Sequence, residues 1–178
     1  MPESTKILSA DDHVIEPPDT WTARVPAAYR DACPRIIDVN GRDAWEYDGE
    51  ITHIPMGSCR PKEGYSETGD PATRGSANFD EIRPGCYDPV ERIKDMDIDG
   101  VWGQLCFPNY ARFAGHRFFM NPTDPGLALA CLKAYNDFLL ETWCAEDPDR
   151  LYGAAILPLN DVDAAVWALR RDASAETH

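Results

Sequence analysis

Asp11 and His13 are the residues of this sequence whose types and spacing most directly suggest chemistry. They end a short run, Lys6-Ile7-Leu8-Ser9-Ala10-Asp11-Asp12-His13, that Pro17 and Pro18 close a few residues later. In an extended chain, residues two apart share a side, so a carboxylate and an imidazole at this spacing can hold one cation from the end of a strand. A catalytic metal needs at least three protein ligands and an open position, so this pair is a partial set. Asp12, between them, is expected to face the other way or to cap a turn. Glu16 reads in two ways: as an acceptor that orients His13 or reaches substrate, or as a turn carboxylate. His116, in Phe113-Ala-Gly-His-Arg117, is a candidate substrate contact or a surface histidine. Arg112 and Arg117 beside it suit bidentate pairing with a substrate carboxylate, or form a solvated loop pair. His53 and the terminal His178 read as bystanders.

The elements that must position these residues follow from periodicity and turn chemistry. Residues 6–10 read as a first strand, with Asp-Asp-His in the turn that follows it. From Pro17 to about residue 87 prolines, glycines and charges dominate, as in an insertion. Within it, Asn40-Gly41 between Arg35–Val39 and Asp43–Asp48 signals a hairpin. Residues 55–85 show no periodicity and read as a long loop, functional or disordered. Asp88-Pro89 then opens a helix with Val90, Ile93 and Met96 at helical spacing, ending near Gly100. Residues 101–107 form a second strand, and Asp124-Pro125 opens a long helix running to Trp143. Residues 151–157 form a third strand, and Asp161 caps a last helix, after which the tail from Asp172 is expected to fray. Alternation of strand and helix requires a parallel sheet with right-handed crossovers. Three strands leave two open edges, so the sheet is expected to be one part of a larger one.

Composition bounds the rest. At 178 residues the chain suits one core, and 43% hydrophobic residues with five tryptophans mark it as globular. Seventeen basic against 31 acidic residues leave a net charge of −14, which repels nucleic acid and anionic membrane surfaces. The six cysteines are widely spaced without a C-x-x-C pair and are expected to be reduced thiols, with Cys106 and Cys131 in the core. Neither a leader nor a membrane-spanning run is legible, so a cytoplasmic protein is expected.

Several motifs, taken in order, resemble the amidohydrolase-related family. They are residues 9–21, Arg83-Pro-Gly-Cys-Tyr-Asp-Pro89, Asp95-Met-Asp-Ile-Asp-Gly-Val101, Ala134-Tyr-Asn-Asp-Phe138 and Pro148-Asp-Arg-Leu-Tyr-Gly-Ala-Ala-Ile-Leu-Pro-Leu159. This group contains aminocarboxymuconate-semialdehyde decarboxylase and several aromatic acid decarboxylases. The resemblance implies an α/β fold, a (β/α)8 TIM barrel, with a divalent metal, zinc or manganese, at the carboxyl ends of its strands. It implies a hydrolase or carboxy-lyase acting on a small carboxylate-bearing or aromatic substrate. The family's acid-or-histidine, any residue, histidine pattern falls on Asp11 and His13. Its histidine from a middle strand and aspartate from the last strand have no counterpart among these 178 residues. The chain is therefore expected to be the N-terminal part of the barrel: about three βα units with a long hairpin and loop insertion at about 17–87 after strand one. A truncated or frame-shifted gene and a natural short product both fit that expectation. A barrel of this kind typically runs to about 250 residues. The alternative is a catalytically silent fragment that serves as an interaction module, as in a homo-oligomer, through its open sheet edge.

Overall fold

A computed structural model describes residues 5–54, 59–62, 78–119 and 123–175, so much of the expected 55–85 loop, and His178, lie outside the described residues. Two three-stranded sheets organise them. In the first, β1 (Leu8–Val14), β5 (Gly103–Pro108) and β6 (Leu151–Gly153) run parallel in the order β1-β5-β6. The second is an antiparallel meander, β2 (Arg35–Asp38), β3 (Asp43–Tyr47) and β4 (Glu50–His53), inside the insertion. The helices are α1 (Pro89–Asp99), a short α2 (His116–Phe119), α3 (Pro125–Phe138) and α4 (Val162–Ala175).

Local chemistry sets these elements. Asp88 accepts the amides of Val90 and Glu91 at the start of α1, Pro89 occupies the first turn, and Gly100 closes the helix with φ 72°. Asp124 and Pro125 repeat the arrangement for α3. The insertion turns twice at two-residue corners whose residues all have positive φ: Asn40-Gly41 between β2 and β3, and Asp48-Gly49 between β3 and β4. Gly85 must lack a side chain, because a Cβ there would collide with the Asp95 carboxylate, which forms a fork-to-fork pair with Arg83. That pairing holds the Asp95 carboxyl below the usual aspartate range.

The core joins both sheets. Trp21 is fully buried, donates its indole N–H to the Cys131 carbonyl at 3.0 Å, and meets Trp45, Tyr110 and Phe118 edge-on. Cys33, Cys59, Cys106 and Cys131 are buried, and none of the six cysteines is in a disulfide.

Four expectations change. Strand one runs to Val14, so Asp-Asp-His lies within β1 and not in a turn after it. The third strand is only Leu151–Gly153, and the α3 helix passes into a π-type turn over Leu139–Trp143 before it ends. The insertion gains a third strand, β4. Finally, Asp172 is buried in α4 and does not fray: its carboxylate accepts from the Asn136 amide at 2.8 Å. Asn136 is itself fully buried and pairs with both the N–H and the carbonyl of Ile156, clamping α3 to the segment after β6 and to α4. Asn136→Ala strands those buried groups, so it should lower unfolding free energy by about 2 kcal/mol or more, read from the urea midpoint.

Candidate active site

Strand β1 carries a bulge that decides what its side chains face. Ser9 pairs with Gln104 but Asp12 with Cys106, so β1 uses one residue more than β5 over this step. Gln104 and Cys106 are buried beneath the helices, which places Ser9 and Asp12 on that covered side. Ala10 and Asp11, the residues of the bulge, are both exposed, and His13 beyond Asp12 is exposed as well. The bulge thus turns Asp11 and His13 outward while Asp12 faces inward, as expected for it. One oxygen of Asp12 is buried without a hydrogen-bond partner.

His13 is held by backbone. Its Nδ1 lies 3.2 Å from the Pro108 carbonyl at the end of β5, and its ring stands 6.2 Å from that of Phe107. A carbonyl can only accept, so this contact puts the proton on Nδ1 and leaves the Nε2 lone pair free. The His13 carbonyl in turn accepts from the Arg92 guanidinium at 2.6 Å, and Arg92 stacks on Trp143. Helix α1 therefore fixes the strand from the covered side while the imidazole points to the open one.

Glu16, three residues on, has another task. It is fully buried, and its two oxygens accept the Tyr110 amide at 2.8 and 3.1 Å and the Ala111 amide at 3.3 Å. The hydrogen-bond partner of His13 is the Pro108 carbonyl, and Glu16 shapes the loop that follows it. Burial pushes the Glu16 carboxyl up to about 7, against the pull of those amides.

The loop that Glu16 anchors is strained. Arg112 has φ 59° and ψ 177°, a region glycine favours, and Ala114 and Gly115 also have positive φ. A Cβ at Gly115 would press on Ile156 and Phe119. Arg117, largely buried, donates to the Tyr110 carbonyl and to the Thr52 hydroxyl and stacks on the Tyr110 ring, tying the loop to β4. Arg112, His116 and Arg117 line a cavity of about 300 Å³ together with Tyr47, Asp48, Glu50 and Thr123. Asp11 and His13 do not line it, so the structure does not bring His116 to the same cavity as the paired donors. Among the described residues, no group of three or more histidine, cysteine, aspartate or glutamate side chains is arranged to hold a metal. Asp11 and His13 are of donor types that divalent cations accept, a carboxylate and an imidazole.

These features, a parallel sheet crossed by helices with polar residues gathered where its strands end, define an α/β fold of the kind that carries enzyme sites at the carboxyl edge. Comparison with solved structures is more particular. The chain superposes on the crystal structure of an amidohydrolase from Mycobacterium avium subsp. paratuberculosis K-10 with a TM-score of 0.73 and 19% identity, covering 97% of this chain and 48% of that one. It spans about half the length of that structure, and at this identity the likeness is one of fold. The resemblance drawn from the motifs is borne out at that level. A 2,6-dihydroxybenzoate decarboxylase from Rhizobium also matches, with 19% identity over 97% of this chain and 36% of that one, but at a TM-score of 0.46 it carries no argument. No protein-family model and no curated protein sequence matches the chain. No helix among the described residues is long and apolar enough to cross a membrane.

The Glu16 site yields a pH test. Its carboxyl is raised in the folded state, so the folded chain holds the proton that the unfolded chain has released. Its contribution to stability is greatest near and below pH 4.5 and is lost as pH rises to about 7. Glu16→Gln should flatten that part of a melting-temperature profile against pH; an unchanged slope would remove Glu16 from the account.

Proposed function

We propose that this chain is the metal-bearing first part of an amidohydrolase-type barrel, three βα units and an insertion. In this reading the assembled site hydrolyses or decarboxylates a small carboxylate-bearing or aromatic molecule. The observation that supports it best is the setting of His13: exposed at the carboxyl end of β1 beside Asp11, with Nδ1 tied to the Pro108 carbonyl and Nε2 free. Histidines that bind metals commonly donate their other ring nitrogen to a carbonyl or carboxylate in this way. The fold shared with the mycobacterial amidohydrolase points in the same direction.

Asp11 and His13 would hold the cation, zinc or manganese, with the remaining ligands coming from outside the described residues. A bound cation would supply Lewis acidity and a lowered pKa for water. The chain's own contribution is positional. Arg92 and the Pro108 carbonyl fix the imidazole, while Glu16 holds the loop after β5 at the rim of the site.

Helix α4 favours a second reading, that of an interaction module without catalysis. Val162, Val166, Trp167 and Leu169 are exposed on it, and clustered exposed apolar residues are a feature of interaction surfaces. The two readings separate on metal content after exhaustive dialysis. The enzyme reading expects zinc or manganese near one per chain, falling at least tenfold in His13→Ala. Background metal in both proteins would leave the interaction reading standing.

A further inference from the structure

Helix α4 has two sides that differ in chemistry. Ala168 and Asp172 are buried against the chain, and Arg171 beside them pairs with Asp137 and Asp172. Away from that contact Val162, Val166, Leu169 and Ala173 are all exposed, at spacings of four, three and four residues. Alternation of four and three keeps side chains on one stripe of a helix, the seam through which two helices pack side by side. Trp167 lies off this seam and stacks with Arg171.

What borders the seam selects its partner. One flank carries Asp163 and Arg170, both exposed and both without an ion-pair partner among the described residues. The other carries Ala165 and Asp172, and Asp172 is buried in its own chain. Two copies of the seam laid parallel would bring unlike flanks together and pair neither exposed charge. Laid antiparallel about a two-fold axis, each flank meets the same flank of the second copy. Val166 then packs against Leu169 of the second copy and Val162 against its Ala173, and the same register sets Asp163 opposite its Arg170. Symmetry repeats each of these contacts. The seam is complementary to itself in apolar spacing and in charge, and its charges sit where flanking residues fix the orientation of paired helices.

We propose that two copies of this chain associate through α4, antiparallel, with Val162, Val166, Leu169 and Ala173 as the seam and Asp163 paired with Arg170 of the second copy. This pairing rests on the reading of α4 as an interaction surface, names its partner, and holds whether or not the metal site forms. About three turns of helix bury an area at the low end of specific interfaces, below about 1,200 Å² in total. That fits a dimer which dissociates at micromolar concentrations. The net charge of −14 on each copy works against association, so the seam must offset it.

Sedimentation velocity of the full chain, from about 1 to about 300 µM, should show monomer passing to dimer. Val166→Glu sets a carboxylate in the middle of the seam and should weaken the dimer about tenfold or more. Asp163→Arg places like charges opposite each other twice and should weaken it about fivefold, although it lowers the net negative charge that keeps copies apart. Adding Arg170→Asp to that variant reverses both charges and should restore dimerisation to within about twofold of the wild type. Recovery is the result that a merely adhesive surface would not give. All three positions are exposed, so the melting temperature of each variant should stay close to that of the wild type. A chain that remains monomeric throughout would overturn the proposal and leave the seam to a different partner. A dimer indifferent to Val166→Glu, or a charge reversal without recovery, would overturn it as well. Metal near one per chain in a dimer would remove the non-catalytic reading and leave this pairing standing; a monomer at background metal would do the opposite.

Discussion

The path of the loop that forms the rim of the site depends on one buried carboxylate. Glu16 sits at the end of the first strand without a cationic partner, and the amides of Tyr110 and Ala111 are what make its burial tolerable. Those bonds close the gap between the strand that carries Asp11 and His13 and the loop that carries Arg112, His116 and Arg117. Backbone donors have fixed geometry, so the carboxylate sets the path of the loop and not merely its distance. A salt bridge to a long side chain would tie the same points together with much looser orientation.

The insertion is coupled to this arrangement through aromatic packing and one arginine. Trp21 follows the first strand, Trp45 lies in the meander and Tyr110 opens the strained loop, and the three rings touch one another. Arg117 adds a polar link from the same loop to Thr52. The insertion is thereby part of the core, and the cavity between it and the loop has walls that the core itself holds in place. Large buried aromatics of this kind carry much of the packing energy in a domain of this size.

Much of the fold was legible because its signals are local. Asp88-Pro89 and Asp124-Pro125 announce their helices by capping chemistry, Gly100 ends one by its left-handed backbone, and Asn40-Gly41 marks a hairpin. Asp48-Gly49 carries the same kind of signal for the corner before β4. The site was legible in its donors and less so in its geometry. The spacing of Asp11 and His13 shows their shared exposure, but the bulge that brings it about arises from pairing with β5, a partner about 95 residues away. The role of Glu16 is hidden for the same reason, since its partners are amides with no side-chain signature. Nothing in the residue types of 112–115 announces a left-handed backbone at arginine and alanine. Such conformations are imposed by tertiary contacts and are invisible to local propensity.

The outer strands of the parallel sheet have a consequence for handling the protein. Among the described residues, β1 and β6 each have a neighbour on one side only, and Ile7, just before β1, Leu8 and Tyr152 are exposed there. Unpaired strand edges with apolar flanks template intermolecular pairing and, through it, aggregation. A net charge of −14 keeps copies apart by mutual repulsion at neutral pH. Acidification towards the isoelectric point near 4.5 removes that repulsion and leaves the edges as the strongest contacts between molecules. Colloidal stability of this chain is thus governed by its carboxylates, whereas its architecture alone would favour self-association.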